Sequence, residues 1–492
     1  MRTPKEVIQS MTEKGQTIVI VAISLIVILA LAALAIDVGI AYVIKAKLNA
    51  AVDGAAIAAG RAVKQGSTDT QRTNNARNAA ERFFIANYPA GFMGSTPSFD
   101  KNDTNNFNAI HNANGSWTIQ VSARALTPTF FARAVGWSNM NVRATAESTV
   151  RDLDMVLVLD TSGSLNSPSG TFGTLKTAAV AFINRFQGGD GGDRVGLVTF
   201  ASGAVVNVPI NKTATRGFNK TTVINAINGL ANPTSGATAS AEGMRRAQME
   251  LDAIPTDIRS SLRVIVFFSD GAPNMIAATF NEIGVTGTLY SETSDTSCEY
   301  RCGPIYRGGG GCPSNSCASP SCTGTKKGFR LWYHDQRDNS LSGNYACGDT
   351  TAGYSYCCSI NSLPTTGVGG INLASDRGSR SITYTNTRCN VNKAARNMVE
   401  NVANSARSGT GTNAISVYTL GLGAALNNLE INFCGYGPAE RGASILKRLA
   451  NTTDSDTYNS AQPSGIYAYA ATASELNRAF QEIANQILRI SK

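Results

Sequence analysis

The sequence predicts an α/β protein with a doubly wound, mostly parallel sheet, and three patterns support this prediction. From residue 153 onward, short apolar runs alternate with helical segments, which is the order of strand and crossover helix in parallel sheets. Two of these runs, 155–159 and 264–268, are apolar throughout, as expected of strands buried on both faces. Asp160 ends the first run and Asp270 closely follows the second. Ligands bind such sheets at the carboxyl ends of strands, so both aspartates are candidate site residues.

The same alternation assigns the remaining elements of this region. The predicted strands are 154–159, 194–200, 204–209, 263–269, 415–420 and 466–470. The predicted helices are 172–186, 220–230, 239–251, 390–407, 441–450 and 473–490. The last helix carries Leu476, Phe480 and Ile483 at helical spacing, so we expect it to pack on the sheet and to close the fold.

The chain of 492 residues exceeds the usual size of one domain, and its composition changes along its length. We predict a short amino-terminal segment at 1–14 and a long helix at 15–65. A small α+β region follows at 66–150, with a helix near 79–87 and strands near 117–121 and 140–149. The α/β domain occupies 151–492 and is interrupted at about 273–388 by a segment rich in cysteine, glycine and serine.

An uncharged apolar run extends from Thr17 to Ile36, and this length is sufficient to cross a bilayer. A secretory signal peptide is the alternative, but its apolar core is usually only about 7 to 15 residues long. We therefore expect an uncleaved single-pass anchor. Basic residues lie on both sides of the run and leave its orientation open. The helical pattern continues without proline to about Val63.

Hydroxyl and carboxylate side chains gather in three short segments of the α/β domain. Asp160, Ser162 and Ser164 lie on one loop, Thr238 precedes a helical segment, and Asp270 follows a strand. Such oxygen ligands suit Mg²⁺, Ca²⁺ or Mn²⁺ and not zinc. The alternative is that Asp160 only caps the next turn and that Asp270 begins a plain turn.

The order of these segments resembles the metal-ion-dependent adhesion site of von Willebrand factor A domains. The resemblance implies one divalent cation, Mg²⁺ foremost with Ca²⁺ or Mn²⁺ as alternatives, to which an acidic group of a partner protein would add a ligand. Thr234 and Ser235 are alternatives to Thr238 in this set. The implied metal ligands are Asp160, Ser162, Ser164, Thr238 and Asp270.

The amino-terminal helix carries a second resemblance. Segments 15–17, 35–39 and 47–56, and the later run 128–133, resemble TadE/TadG-like Flp pilus-assembly proteins. This resemblance implies a protein of the bacterial cytoplasmic membrane whose partners are pilus-assembly or envelope proteins. The small residues of the helix suit packing either against another membrane helix or on the protein's own domain.

The ten cysteines predict disulfide bonds, because their number is even and most lie in a segment poor in apolar residues. Zinc is the alternative, although no Cys-x2-Cys pair occurs. Disulfides imply an amino terminus in the cytoplasm and everything beyond Asp37 in the periplasm or outside the cell. Topology also predicts that the cysteines gather on the face that carries the metal. The disulfide candidates are Cys298, Cys302, Cys312, Cys317, Cys322, Cys347, Cys357, Cys358, Cys389 and Cys434.

Composition and motifs argue against two broad classes. The net charge of +9 is not concentrated in a Lys/Arg run, so we expect no nucleic-acid partner. His111 and His334 are the only histidines in the sequence, and neither lies in a hydrolase motif. A phosphate-binding glycine loop of the Walker type is also absent from the sequence. We therefore expect no enzymatic activity.

These inferences lead to three functional hypotheses. The first is a membrane-anchored extracytoplasmic protein that assembles or anchors Flp pili through metal-dependent docking. The second is a surface adhesin that binds host or matrix ligands through the cysteine-rich segment. The third is a cytoplasmic chaperone subunit that works with an ATPase, which the predicted disulfides oppose.

Overall fold

The computed structural model describes residues 4–112, 115–201, 203–233, 237–280, 285–290, 331–332, 363–374, 381–383, 388–427 and 440–491. The chain divides into two compact units. The N-terminal unit comprises Met1–Asn112 with Trp117–Val150, and the C-terminal unit comprises Ala113–Ser116 with Arg151–Lys492.

The N-terminal unit begins with helix α1, Pro4–Ala62. The long helix predicted at 15–65 is continuous, but it begins within the segment 1–14 that was predicted to be separate. Within it, Thr17–Ala62 is the segment of the described chain that is long and apolar enough to cross a membrane, and its most apolar window of 18 residues has a mean hydropathy of 3.2. The apolar side chains of 18–36 are largely exposed, whereas Ile44, Leu48 and Val52 are fully buried. The apolar run at 18–36 is therefore exposed, whereas the later part of the helix belongs to a core.

Helix α2, Asp69–Asn87, is longer than the helix predicted at 79–87. Its first turn is polar, but the hydroxyl of Thr68 caps it by accepting a hydrogen bond from the backbone N–H of Gln71 at 3.2 Å. The polar first half also has a buried face, where the guanidinium of Arg72 lies 4.9 Å from the ring centroid of Trp117. Capping and tertiary contacts therefore stabilise a helical first half that its polar sequence did not predict.

A four-stranded sheet packs on these helices. It comprises β1 (Thr96–Ser98), β2 (Phe107–His111), β3 (Ser116–Pro128) and β4 (Asn139–Arg151). Strand β3 pairs antiparallel with β1 and β2 and also pairs with β4. Alternate residues of β3 are buried against small residues of α1 such as Ala55 and Ala59. The small-residue face beyond residue 44 thus packs on its own unit.

The strands and helices of the C-terminal unit agree with most of the predicted ones. Its strands are β5 (Leu153–Asp160), β6 (Arg194–Phe200), β7 (Ala204–Val208), β8 (Leu262–Ser269), β9 (Met275–Phe280), β10 (Val285–Tyr290), β11 (Leu331–Trp332), β12 (Ser416–Leu422) and β13 (Tyr467–Ala470). Its helices are α3 (Thr171–Ile183), α4 (Lys220–Asn228), α5 (Ser240–Asp252), α6 (Arg388–Arg407), α7 (Gly442–Ala450) and α8 (Leu476–Ile490).

The main sheet has the strand order β13-β12-β8-β5-β6-β7, and its neighbouring strands run parallel except for the pair β6–β7. Val156 and Val158 of β5 join the core formed with α5, α6 and α7. Leu157 and Leu159 join the opposite core, formed with α3, α4 and α8. The predicted doubly wound, mostly parallel sheet is confirmed. The chain leaves β5 for β6 on one side and returns at β8 on the other, so a crevice is expected at the carboxyl ends of β5 and β8.

A buried ion-pair cluster lies at the opposite, amino-terminal ends of these strands. The carboxylate of Asp154 accepts hydrogen bonds from Arg194 Nη1 at 3.2 Å, from Arg216 Nη2 at 3.1 Å and from the backbone N–H of Ser260 at 2.8 Å. The side chains of Asp154 and Arg194 are completely buried. Asp152 also pairs with Arg216 Nε at 3.3 Å. These groups join β5, β6 and the chain that precedes β8.

The cysteine-rich segment contains regular structure at its described ends. Strand β9 pairs antiparallel with β10, which pairs with β11. Ile276, Leu363 and Leu373 are buried in the core that α6 completes. The described ends of a segment that the sequence showed to be poor in apolar residues therefore contribute to an apolar core. The predicted disulfides and the placement of the cysteines on one face lie outside the described residues, since Cys389 is described only as part of the backbone of α6.

Candidate metal-binding site

Asp160 ends strand β5, and its side chain is completely buried. Its Oδ1 accepts a hydrogen bond from the backbone N–H of Ser162 at 2.8 Å, and its Oδ2 accepts one from Ser269 Oγ at 2.6 Å. These two donors come from its own loop and from the neighbouring strand β8. The carboxylate is therefore held in one orientation at the carboxyl edge of the sheet.

A chain of hydroxyl groups connects this loop to Asp270. Ser162 Oγ lies 3.0 Å from Ser164 Oγ, and Ser164 Oγ donates a hydrogen bond to Asp270 Oδ1 at 2.9 Å. The neighbouring Thr161 anchors the loop to β6, because its backbone N–H donates to the carbonyl of Phe200 at 2.8 Å. The structure thus brings Asp160, Ser162 and Ser164 together with Asp270, which lies more than one hundred positions later in the sequence.

Thr238 lies at the same edge of the sheet. Its backbone N–H donates to Asn274 Oδ1 at 2.8 Å, and the backbone N–H of Asn274 donates to the carbonyl of Thr238 at 3.2 Å. A Cβ atom on Gly271 would lie 3.8 Å from Thr238 Oγ1, so the threonine hydroxyl is beside the Asp270–Gly271 turn. The alternatives Thr234 and Ser235 lie outside the described residues.

Burial disfavours the charged forms of both aspartates, and repulsion adds to this effect at Asp270. Burial raises the pKa of Asp160 to about 6. Burial and the nearby negative charge of Asp160 together raise the pKa of Asp270 to about 7. A divalent cation beside both carboxylates would stabilise their charged forms.

The donor set fits a hard cation. It consists of two carboxylates and three hydroxyls and contains no sulfur or imidazole, which is the ligand chemistry of Mg²⁺, Ca²⁺ and Mn²⁺. In the described part of the chain, no group of three or more His, Cys, Asp or Glu side chains is arranged to hold a metal. The hydroxyls of Ser162, Ser164 and Thr238 are therefore the protein groups that could add oxygen ligands to those of the two aspartates.

Sequence reasoning missed two residues of this site. Ser269 directly precedes Asp270 and is a single hydroxyl at the end of an apolar strand, so its position was a usable signal. Asn274 gave no such signal, because its amide joins the Thr238 loop to the Asp270 loop only after both have been brought together by the fold.

Comparison with known families agrees with this geometry. A family model of the von Willebrand factor type A domain matches residues 154–286, a range that includes all five predicted metal ligands. The C-terminal unit contains a von Willebrand factor A domain. Such domains commonly bind a divalent cation at a metal-ion-dependent adhesion site.

A second family model, of the TadE/G-like Flp pilus-assembly region, matches residues 15–62. This range lies entirely within α1 and contains the apolar run at 17–36. The chain therefore combines a TadE/G-like membrane segment with a von Willebrand factor A domain. The run 128–133, which also suggested this resemblance, lies outside the matched range.

Several solved structures are similar to this chain at low sequence identity. The PilB minor pilin from Streptococcus sanguinis is 14% identical, with 82% of this chain and 80% of that chain covered and a TM-score of 0.35. The von Willebrand factor domain of the type V pili tip protein Mfa5 from Porphyromonas gingivalis is 14% identical. The match covers 70% of this chain and 98% of that chain, with a TM-score of 0.37.

A third similar structure is that of proximal thread matrix protein 1 from the mussel byssus, in which zinc occupies the metal-ion-dependent adhesion site motif. It is 12% identical, with 68% of this chain and 46% of that chain covered and a TM-score of 0.31. This chain therefore matches less than half of that protein. A search of curated proteins found no match.

Proposed function

We propose that this chain is a membrane-anchored protein that assembles or anchors Flp pili, and that its A domain docks a partner through a bound divalent cation. The observation that carries the proposal is the continuous contact from Asp160 through Ser162 and Ser164 to Asp270 at one strand edge. Core packing does not require this arrangement of hydroxyls and carboxylates. The TadE/G-like match supports the connection with pili.

The proposed role of the site is binding and not catalysis. Asp160, Ser162, Ser164, Thr238 and Asp270 would hold the ion, with Mg²⁺ the first candidate and Ca²⁺ or Mn²⁺ the alternatives. The bound ion would supply positive charge for an acidic side chain of the partner. Ser269 keeps Asp160 in place, and Asp270 orients the hydroxyl of Ser164. The partner is then a pilus-assembly or envelope protein with an exposed carboxylate.

We further propose that α1 anchors the chain in the bacterial cytoplasmic membrane with its amino terminus in the cytoplasm. The exposed apolar side chains of 18–36 support a lipid environment for this part of α1. The ten cysteines support an oxidising compartment for the rest of the chain.

Thiol labelling tests the orientation and the disulfides together. A membrane-impermeant maleimide applied to spheroplasts should leave most of the ten cysteines unlabelled, and labelling should become extensive after an impermeant reductant is added. Lysed, unreduced spheroplasts are the control. Extensive labelling that requires lysis but no reductant would contradict both the orientation and the disulfides.

Crosslinking and copurification of the full chain from native membranes test the docking function. We expect a pilus-assembly or envelope protein to be recovered with the wild type, and to be lost on chelation or in Asp270→Ala. Asp270 is the better choice for this variant, because the fully buried Asp160 has a larger structural role. Asp252→Ala is a matched control, since Asp252 is a half-exposed aspartate that pairs with Arg263.

Recovery of the same partner with chelator and with Asp270→Ala would reject metal-dependent docking. Recovery of host or matrix ligands without any pilus component would favour the alternative, a surface adhesin that uses the cysteine-rich segment.

A further inference from the structure

A loop of the N-terminal unit exposes three aromatic side chains to solvent. We call this loop, residues 129–137, the aromatic loop. Its Phe130 is 60% exposed, its Phe131 is 48% exposed and its Trp137 is 68% exposed. The loop is closed by its own hydrogen bonds: the backbone N–H of Thr129 donates to the carbonyl of Ser138 at 3.1 Å, and that of Trp137 donates to the carbonyl of Ala132 at 3.1 Å. Its aromatic side chains are therefore exposed on a folded segment.

Asp37 of helix α1 fixes the position of the aromatic loop. The backbone N–H of Phe130 donates to Asp37 Oδ1 at 2.8 Å. Those of Phe131 and Ala132 donate to Oδ2 at 3.0 Å and 2.7 Å. The carboxylate is only 2% exposed. Three N–H groups are thus used to hold one charged group, and the loop is attached at one height along α1.

That height coincides with the end of the apolar run. Thr17 to Ile36 covers about 30 Å of helix at 1.5 Å per residue, which matches the hydrocarbon thickness of a bilayer. Asp37 is the next residue. If the run spans the bilayer, the aromatic loop must lie close to the boundary between hydrocarbon and water. Tyr42, which is 75% exposed, follows about 8 Å further along the helix.

We propose that the aromatic loop is a second membrane contact, with Phe130, Phe131 and Trp137 inserted into the interfacial layer of the bilayer beside α1. Tryptophan favours this layer, because its ring can face the acyl chains while its N–H remains hydrated. The two phenylalanine rings can bury apolar area at the acyl boundary beside it. The exposed Arg133 lies in the same loop and suits the phosphate groups of lipids. Continuity with the apolar run is the reason to choose lipid over a protein as the occupant of this surface.

The consequence is mechanical. A single helix can rotate and tilt in a bilayer, since its length alone does not determine its tilt. A folded loop that is bonded to the helix and enters the interface would limit both motions. The N-terminal unit would then have a defined orientation on the membrane. This inference does not depend on the metal site.

Quenching of tryptophan fluorescence by brominated lipids tests the proposal. The full chain is reconstituted in phosphatidylcholine vesicles whose lipids carry bromine near the headgroup end of the acyl chain. In a Trp137→Phe background, Phe131→Trp should lose about half of its added emission, as expected of a ring within 5 to 10 Å of the headgroup boundary. Subtraction of the Trp137→Phe signal removes the emission of Trp117 and Trp332.

Phe83→Trp in the same background is the matched control, because Phe83 is 50% exposed on the surface of α2 and so resembles Phe131 in exposure. The end of α2 meets α1 at Gly54, where a Cβ atom would lie 3.5 Å from Asn87 Nδ2. Gly54 is about 26 Å beyond Asp37 along the helix, so Phe83→Trp should keep its emission. Equal quenching at the two positions, whether weak or strong, would overturn the proposal.

Discussion

Asp160→Asn should weaken the binding of Mg²⁺ or Mn²⁺ to the full-length protein by about 100-fold or more, since the affinity of a metal site depends strongly on the charge and orientation of its ligands. Asparagine has the size of aspartate and keeps an acceptor oxygen for one of the two donors, Ser269 Oγ and Ser162 N–H. Alanine would remove the acceptor of both donors, so a folding defect could be mistaken for a loss of metal binding. Calorimetric titration of detergent-solubilised protein measures the affinity.

Folding of the same variant provides an internal check. Because burial raises the pKa of Asp160 to about 6, its ionised form destabilises the metal-free protein at neutral pH. Asparagine removes that charge, so the metal-free variant should be at least as stable as the metal-free wild type above pH 7. Ser162→Ala should have a smaller effect on affinity, because water can replace one neutral ligand. Wild-type affinity in Asp160→Asn would place the ion elsewhere.

Metal affinity should also depend on pH. The ion binds the carboxylate forms, and protons compete for them with pKa values of about 7 at Asp270 and about 6 at Asp160. Affinity should therefore be highest above pH 7 and should fall by about 20-fold between pH 8 and pH 6, as expected for two competing protons. Further loss is expected below pH 6. An affinity independent of pH over this range would show that these two carboxylates do not bind the ion.

The second large effect concerns stability. Asp154→Ala should destabilise the C-terminal unit by about 3 to 5 kcal/mol, the usual result of removing one partner from a buried ion pair. The variant leaves the guanidinium groups of Arg194 and Arg216 without their shared carboxylate and removes the acceptor of Ser260 N–H. Denaturant unfolding of the full chain, followed by circular dichroism, should show an earlier transition.

Asp252→Ala is the matched control for this variant. Asp252 also pairs with a buried arginine, Arg263, at 2.8 Å, but its own side chain is 46% exposed and water can replace it. Its loss should therefore cost about 1 kcal/mol or less. Asp154 lies about 20 Å from Asp160 along β5, so the folded Asp154→Ala protein should bind metal normally. Equal destabilisation by the two variants would show that the buried cluster contributes little.

The sequence alone determined the features that depend on local periodicity and chain order. Uninterrupted apolar runs such as 264–268 identified strands buried on both faces, and their alternation with helices predicted the doubly wound sheet. The order of the loops and its resemblance to von Willebrand factor A domains predicted that Asp160, Ser162, Ser164, Thr238 and Asp270 lie at one edge of the sheet, where parallel strands bring their carboxyl ends. The helical pattern that continues without proline from the apolar run to about Val63 predicted the long helix α1.

Tertiary structure alone decided the features that depend on contacts between distant segments. The first half of α2 is too polar to be identified locally and becomes a helix because Arg72 packs on Trp117. The cysteine-rich segment is poor in apolar residues, yet Ile276 and Leu373 at its ends are buried in the core with α6. Ser269 and Asn274 join the site through bonds to residues far away in the sequence. The periodicity of apolar residues predicts which face of a helix or strand is buried. The segment that packs on this face depends on contacts between distant parts of the chain.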